Sequence, residues 1–310
     1  MKKVLTLVLT LVLTMSLCTA MAEENPYEGK KIAIVTATES FEFFIKSQQG
    51  MRDTLDAAGI EWTLYNWDLD MDRQIEYLTQ CMAMEYDAVI CSFYDNSVAN
   101  NVLEELNAAG IIVVTWEAAP SVPELAKTTV LSNDYMAGYE LGIRMCEDMG
   151  GEGDIFSYAN RNITSARLRL EGLEAALKEY PNVKLVTNLE DPASENDTTS
   201  AQALIQSVLQ LYPDVKGFFS AGESNTLVAA PLFQDLGKEI IVATVDCTEM
   251  ILNYMQAGVV TYCVDQNAYQ IGVTTAESAL ALLRGETVEQ TQYVDIAVVD
   301  SSNYAEYLEK

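Results

Sequence analysis

The sequence predicts an α/β protein built as two doubly wound parallel-sheet units, and three features carry that expectation. Apolar runs of five to seven residues, rich in Val and Ile, alternate with stretches of 10 to 15 residues of helical period. That is how right-handed strand-helix-strand crossovers are written in sequence. The runs are apolar almost throughout rather than alternating, as strands are when helices cover both faces of their sheet. Finally, the half from 31 to 132 and the half from 153 to 260 show similar successions of strand and helix, with no long Gly/Ser linker between them.

Taken in order, the chain opens on a leader. Lys2 and Lys3 precede an apolar stretch from Val4 to Leu17, and Ala20, Met21 and Ala22 stand before Glu23, the layout of a cleavable secretion signal. Cleavage is expected near Ala22, removing residues 1–22; the bulky Leu17 argues against a lipid anchor on Cys18. No other stretch approaches the ~18 uninterrupted apolar residues of a membrane span. The expectation is an exported protein, in the periplasm or at the outer face of the cell envelope. Strands then fall near 31–37, 60–66, 87–93, 111–117, 128–133, 153–159, 183–189, 217–221, 240–246 and 260–265. Helices fit between them: Met51, Leu55 and Ala58 share one face before the stop at Gly59, and Leu168, Leu173, Ala176 and Leu177 precede Pro181.

Composition narrows the function. Removing Lys2 and Lys3 with the leader takes the net charge from −28 to −30, a field that repels phosphate backbones, so no nucleic-acid partner is expected. Cys81, Cys91, Cys146, Cys247 and Cys263 are odd in number and unpaired in spacing, and read as small buried hydrophobes rather than a disulfide framework. Histidine is absent, which removes the commonest general base, the commonest zinc ligand and every Ser-His or Cys-His pair. Catalytic residues, metal ligands and cofactors are therefore not expected.

Doubly wound sheets bind ligands outside the carboxyl ends of their strands. The residues there are Phe43 and Phe44 after the first run, Trp116 and Glu117 after the fourth, Asn160 and Arg161 after the sixth, then Glu223, Asp246 and Gln266. Aromatics interleaved with Asp, Asn, Gln, Glu and Arg suit a sugar or polyol, whose flat C–H faces lie against rings while planar groups take its hydroxyls. A hydrogen bond to a charged group contributes roughly 1.5–3 kcal/mol net, and a micromolar complex needs only about 8 kcal/mol. Three or four such edges and two rings suffice. Plainer readings stay open: Phe43 or Phe44 as the first core residue of the next helix, Trp116 as a packing residue, Glu117 and Asp246 as helix N-caps, and Arg167 as a solvated helix residue like Arg169.

From Gly29 to Asp300 the chain resembles the type I periplasmic sugar-binding proteins, the ribose- and galactose-binding components of bacterial ABC importers. The resemblance rests on "EFFIKSQQGMRDTLDAAG" (42–59), "AAGIIVVTWE" (108–117), "VLSNDYMAGYELG" (130–142), "SARLRLEGL" (165–173), "YPDVKGFFSAGES" (212–224), "VATVDCTEM" (242–250) and "VDQNAYQIG" (264–272). It implies ring-stacking by Phe43 and Phe44; Trp116, at the end of the fourth run, is kept among the expected ligand-binding residues. It implies acceptance of sugar hydroxyls by Glu117 and Asp246, a fork donor in Arg167, five residues before Gly172, and a hinge contact in Gln266. Glu223 and Asn196 fill two further ligand positions. The implied lobes are 29–132 plus 266–294 and 133–265 plus 295–310, joined by three crossing strands near Ser132–Asp134, Val264–Gln266 and Val294–Asp295, and the chain is expected to act as a monomer with an ABC permease and its ATPase. The chain carries Ala118 where pentose-binding members often have Arg, Gly222 and Glu223 where they have Asn-Asp, and Phe41 where they often have Asn. Alternatives to a sugar are a nucleoside, a signalling furanose or an amine-bearing solute; alternatives to uptake are a chemosensory co-receptor and a carboxylate-pair glycosidase.

Overall fold

The computed structural model describes residues 25–93, 99–190 and 198–308; Asn196 and Tyr94 to Asn96 lie outside them. The first unit runs β1 (Lys31–Thr36), α1 (Glu42–Ala58), β2 (Glu61–Asn66), α2 (Met71–Ala83), β3 (Ala88–Cys91), α3 (Asn100–Ala108), β4 (Ile112–Trp116) and β5 (Thr128–Ser132). The second repeats it with α4 (Asp134–Asp148), β6 (Glu152–Tyr158), α5 (Thr164–Leu177), β7 (Asn182–Leu189), α6 (Thr198–Leu211), β8 (Gly217–Ser220), α7 (Glu223–Leu236), β9 (Ile241–Val245), α8 (Glu249–Gln256) and β10 (Tyr262–Asp265). Then come α9 (Ala268–Leu283), β11 (Thr291–Val294), β12 (Ala297–Val299) and α10 (Ala305–Leu308).

The two sheets have matching strand orders, β11-β5-β4-β3-β1-β2 and β12-β10-β9-β8-β6-β7. Neighbours are parallel except β12, which pairs antiparallel with β10. Successive side chains of a strand point to opposite faces, so the continuous apolar runs feed two layers per sheet. In the first sheet Val35, Val89 and Val113 meet Leu78 and Leu103 on one side, while Ile34, Ile90 and Val114 meet Met51, Leu55 and Ile271 on the other. Burying each such side chain contributes about 1.5–3 kcal/mol, which is why the strands carry no polar face.

The strands expected from the apolar runs end at 265, with 294–295 expected only as a crossing. Here β11 and β12 add an edge strand to each sheet. β11 is four residues long with Thr291 and Tyr293 facing solvent, and β12 is only three residues long, the first too polar and the second too short to register as periodic runs.

Helix ends follow local chemistry. Asp70 accepts from the backbone N–H of Asp72 and Arg73 to start α2, Asn133 accepts from Met136 to start α4, and α1 ends on Gly59 at φ 64°, a left-handed stop that glycine adopts without strain. Two helix pairs close by backbone contact at glycines, and they correspond between the units. A Cβ at Gly138 would lie 1.7 Å from the Arg169 carbonyl oxygen, and one at Gly172 2.0 Å from that of Tyr135. In the first unit a Cβ at Gly272 would lie 1.9 Å from Ser47 O, and one at Gly50 2.2 Å from Tyr269 O. Gly138→Ala must therefore push α4 from α5, and an expected loss of about 3 kcal/mol follows from overpacking. Urea unfolding checks it; an unchanged midpoint would show that the helices do not meet this closely.

The chain passes from the first sheet to the second at 133, returns at 266–267 and passes again at 295–296, since α4 packs on α5 while α9 packs on α1 and β4. These passages place Ser132, Asp134 and Gln266 side by side between the units.

Candidate ligand-binding site

The carboxyl ends of the two sheets face a common cleft. At its centre is a cavity of about 220 Å³, lined by Phe43, Phe44, Glu117, Arg169, Glu223, Asp246 and Gln266 among others. A larger, less polar chamber of about 730 Å³ adjoins it past Phe41, Phe44 and Glu117.

The aromatic wall comes from the first turn of α1 and the last residue of β4. Phe43 and Phe44 stand edge to face, 5.5 Å between centroids at 86°, and both lean on Trp116, at 6.1 Å and 23° for Phe43 and 5.2 Å and 66° for Phe44. Trp116 is fully buried and does not line the cavity. It supports the rings from behind, which corrects the expectation of Trp116 as a ligand-binding residue in favour of the packing role. Both phenylalanines keep partial exposure toward the cavity.

The polar wall is organised around one arginine. Arg169 Nε donates to Asp134 Oδ1 at 2.7 Å, Nη1 to the Ala221 carbonyl at 2.7 Å and Nη2 to Gln266 Oε1 at 2.8 Å. Gln266 Oε1 also accepts from Ser132 Oγ at 2.7 Å, which leaves its amide to donate to Asp246 Oδ1 at 2.5 Å. Side chains from both units and from a crossing segment are thus locked together. Arg167, the residue expected in this role, lies half-exposed on the same helix, paired with Glu171 at 2.8 Å. Two residues on a helix are about 200° apart, so only one of the two arginines can face the cleft. The signal that finds it is Gly172: Arg169 is three residues before it and shares the face that packs on α4. Asp134, buried at the start of α4, was read in sequence only as part of a crossing.

Glu117 and Asp246 occupy equivalent places, following β4 and β9. Their backbone N–H groups donate to Val130 O at 3.1 Å and Val264 O at 2.9 Å, and both residues are left-handed, at φ 69° and 78°. That conformation costs a non-glycine residue of order 1–2 kcal/mol. Neither acid caps a helix. Thr248 caps α8 by accepting from Ile251, and the next helical turn after Glu117 begins only at Pro123. Glu223 opens α7 and accepts from Thr248 Oγ1 at 2.5 Å.

Burial pushes the Glu117 carboxyl from its ordinary 4.5 to about 8; Asp134 adds to the rise, Arg169 opposes it and Asp246 adds a little more. Asp246 is also raised, chiefly by burial, against the opposing charge of Arg169 and the Gln266 hydrogen bond. Glu223 is raised by burial as well, against its Thr248 bond. Burial disfavours the Arg169 cation, but Asp134, Asp246 and Glu117 outweigh that and raise it. A carboxyl raised on folding stabilises the fold fully below its ordinary value and loses that contribution as pH rises through the raised one. Ligand-free protein should therefore lose melting temperature between about pH 4.5 and 8, and Glu117→Gln should flatten the loss. Superimposable profiles for the two proteins would remove Glu117 from this titration.

Two doubly wound lobes with a polar and aromatic cleft at their strand ends define the type I periplasmic binding protein fold. Residues 32–287 match the family of the periplasmic binding protein domain, and the chain belongs to it. It is 24% identical over 280 residues to the D-apiose import binding protein of Actinobacillus succinogenes, covering 88% of each chain. To the ribose import binding protein of Escherichia coli it is 24% identical over 302 residues, 96% of this chain and 98% of the other. An ABC transporter periplasmic solute binding protein from Actinobacillus succinogenes, solved with bound D-allose, superposes with a TM-score of 0.80 at 21% identity over 90% of this chain and 100% of that one.

Proposed function

We propose that this protein is the exported solute-binding component of an ABC importer, capturing a monosaccharide or similar small polyhydroxylated ligand between its lobes. The observation that carries the reading is the network of Arg169, Gln266, Asp246 and Asp134 facing the Phe43 and Phe44 rings across the cleft. The rings offer platforms for C–H faces, and Glu117, Asp246, Glu223 and the remaining Arg169 and Gln266 capacity offer edges for hydroxyls. The names of the apiose and ribose import proteins and the bound allose of the structural neighbour support the same class.

The lobes, 29–132 plus 266–294 and 133–265 plus 295–310, close on the ligand about the three crossings, and the closed monomer is what the permease engages. The leader is removed near Ala22, which intact-mass measurement of the exported protein checks. A thermal-shift panel of sugars, polyols and nucleosides tests the ligand class: a ligand at 100 times its dissociation constant adds about 2.7 kcal/mol to stability. Small-angle scattering with the best ligand should show a contracted radius of gyration. No stabilisation by any polyhydroxylated compound would sink the reading.

The protein acts without catalysis. Glu117, protonated near neutrality, across from Asp246 is nonetheless the kind of pair a glycosidase uses, so nitrophenyl glycosides are the control. Asp246-dependent turnover would overturn the binding-only role.

A further inference from the structure

The central cavity holds more negative charge than its cations neutralise. Glu42, Glu117, Glu223, Asp246 and Asp265 line it, against Lys46 and Arg169. Both cations are already engaged within the protein. Lys46 Nζ lies 2.7 Å from Glu42, and each nitrogen of Arg169 donates to a protein acceptor, with Asp134 as its ion-pair partner at 2.7 Å. Among the described residues, Asp246 accepts from the neutral Gln266 side chain and the Glu223 backbone, and Glu223 accepts from the neutral Thr248 hydroxyl; burial and the neighbouring acids Asp134 and Asp246 act on Glu117 against the single cation Arg169. A neutral polyol entering here would supply hydroxyl donors and leave the repulsion among these acids in place. An ammonium supplies three donors and cancels that repulsion. The faces of Phe43 and Phe44 on the same wall attract a cation as well.

We propose that the ligand carries a basic nitrogen on its polyhydroxylated frame, as an amino sugar or aminocyclitol does, and that its ammonium is held among Glu117, Asp246 and Glu223. This rests on the polyhydroxylated-ligand reading above and goes further only in the charge. Asp134, Asp246 and Arg169 act on Glu117, and the acids Glu223, Glu42 and Asp265 and the cation Lys46 line the same cavity. With its carboxyl pushed up to about 8, Glu117 holds a proton at pH 7, and an arriving ammonium releases it.

Calorimetry at pH 7 on the full processed protein, in two buffers of different ionisation heat, tests this with matched pairs: glucosamine and glucose, galactosamine and galactose, an aminodeoxyinositol and myo-inositol. In at least one pair the amine should bind about 30-fold more tightly than its hydroxyl counterpart, with a buffer-dependent heat reporting proton release. Glu117→Gln should narrow that ratio by roughly tenfold and remove the buffer dependence. Equal or tighter binding by the neutral member of every pair overturns the inference and leaves the polyhydroxylated-ligand reading standing. Binding by no member of any pair, in a protein that a neutral compound of the sugar and polyol panel stabilises, overturns the inference alone; no stabilisation by anything in that panel overturns both.

Discussion

Arg169→Met is expected to abolish ligand binding and to destabilise the protein by about 3–5 kcal/mol, the cost of leaving the other half of a buried ion pair uncompensated. Arg169 is 6% exposed, and without it Asp134 loses its cation while Gln266 Oε1 and Ala221 O each lose a donor. Arg169→Lys separates charge from shape. It keeps the positive charge but not the planar fork, so stability should recover in part while ligand binding stays lost. Arg167→Ala is the internal control. Its side chain is 41% exposed and, among the described residues, engaged only with Glu171, so urea unfolding and ligand titration should both stay within about 0.5 kcal/mol of the parent. The reverse ranking of the two arginines would overturn the assignment.

Asp246→Ala is expected to lower ligand affinity by at least about 100-fold, as the loss of two charge-assisted hydrogen bonds to ligand implies. The carboxylate lies at the cavity wall and accepts from Gln266 Nε2 at 2.5 Å, so its removal also frees that amide to rotate. Calorimetry with the best ligand of the panel measures the change, and a drop smaller than tenfold would take Asp246 out of the ligand contact. Stability should move in the opposite sense at high pH. A buried carboxyl raised from its ordinary range opposes folding once ionised, so the ligand-free variant should lose less stability than its parent as pH rises.

Much of this arrangement was legible in the residues. Ten strands stand out because Val and Ile runs such as Ile32 to Val35 and Val113 to Trp116 are apolar on both faces. Reading the residues just past each run picks out Phe43, Phe44, Glu117, Glu223, Asp246 and Gln266, all of which line the cavity. The rule works because a parallel sheet presents one end of every strand to the same cleft. It misleads at Trp116, the final residue of β4, whose indole is covered by the Phe43 and Phe44 rings. Alternation decides the side of the sheet a residue faces, but depth below the cleft floor depends on what packs above it.

The choice between Arg167 and Arg169 shows the same boundary. Both lie in one short helical segment, and the spacing to Gly172 separates them only once it is known that this glycine's face packs on α4. The face of α5 that turns inward is set by a backbone contact between Gly138 and Arg169, on two helices separated by a strand in the chain. Asp134 is similar: nothing beside it in sequence marks it as the partner of an arginine 35 residues away.

Periodicity and strand polarity are local properties of the chain, so the two-lobed α/β architecture and most of the side chains that line the cavity at the strand ends can be read from the residues alone. Packing alone sets which arginine lines the cleft, that Trp116 stands behind the rings, and that the cavity's cations are already paired. Each of those outcomes depends on which distant groups come within hydrogen-bonding reach, and that is settled by the packing of α4 on α5 and of one lobe against the other.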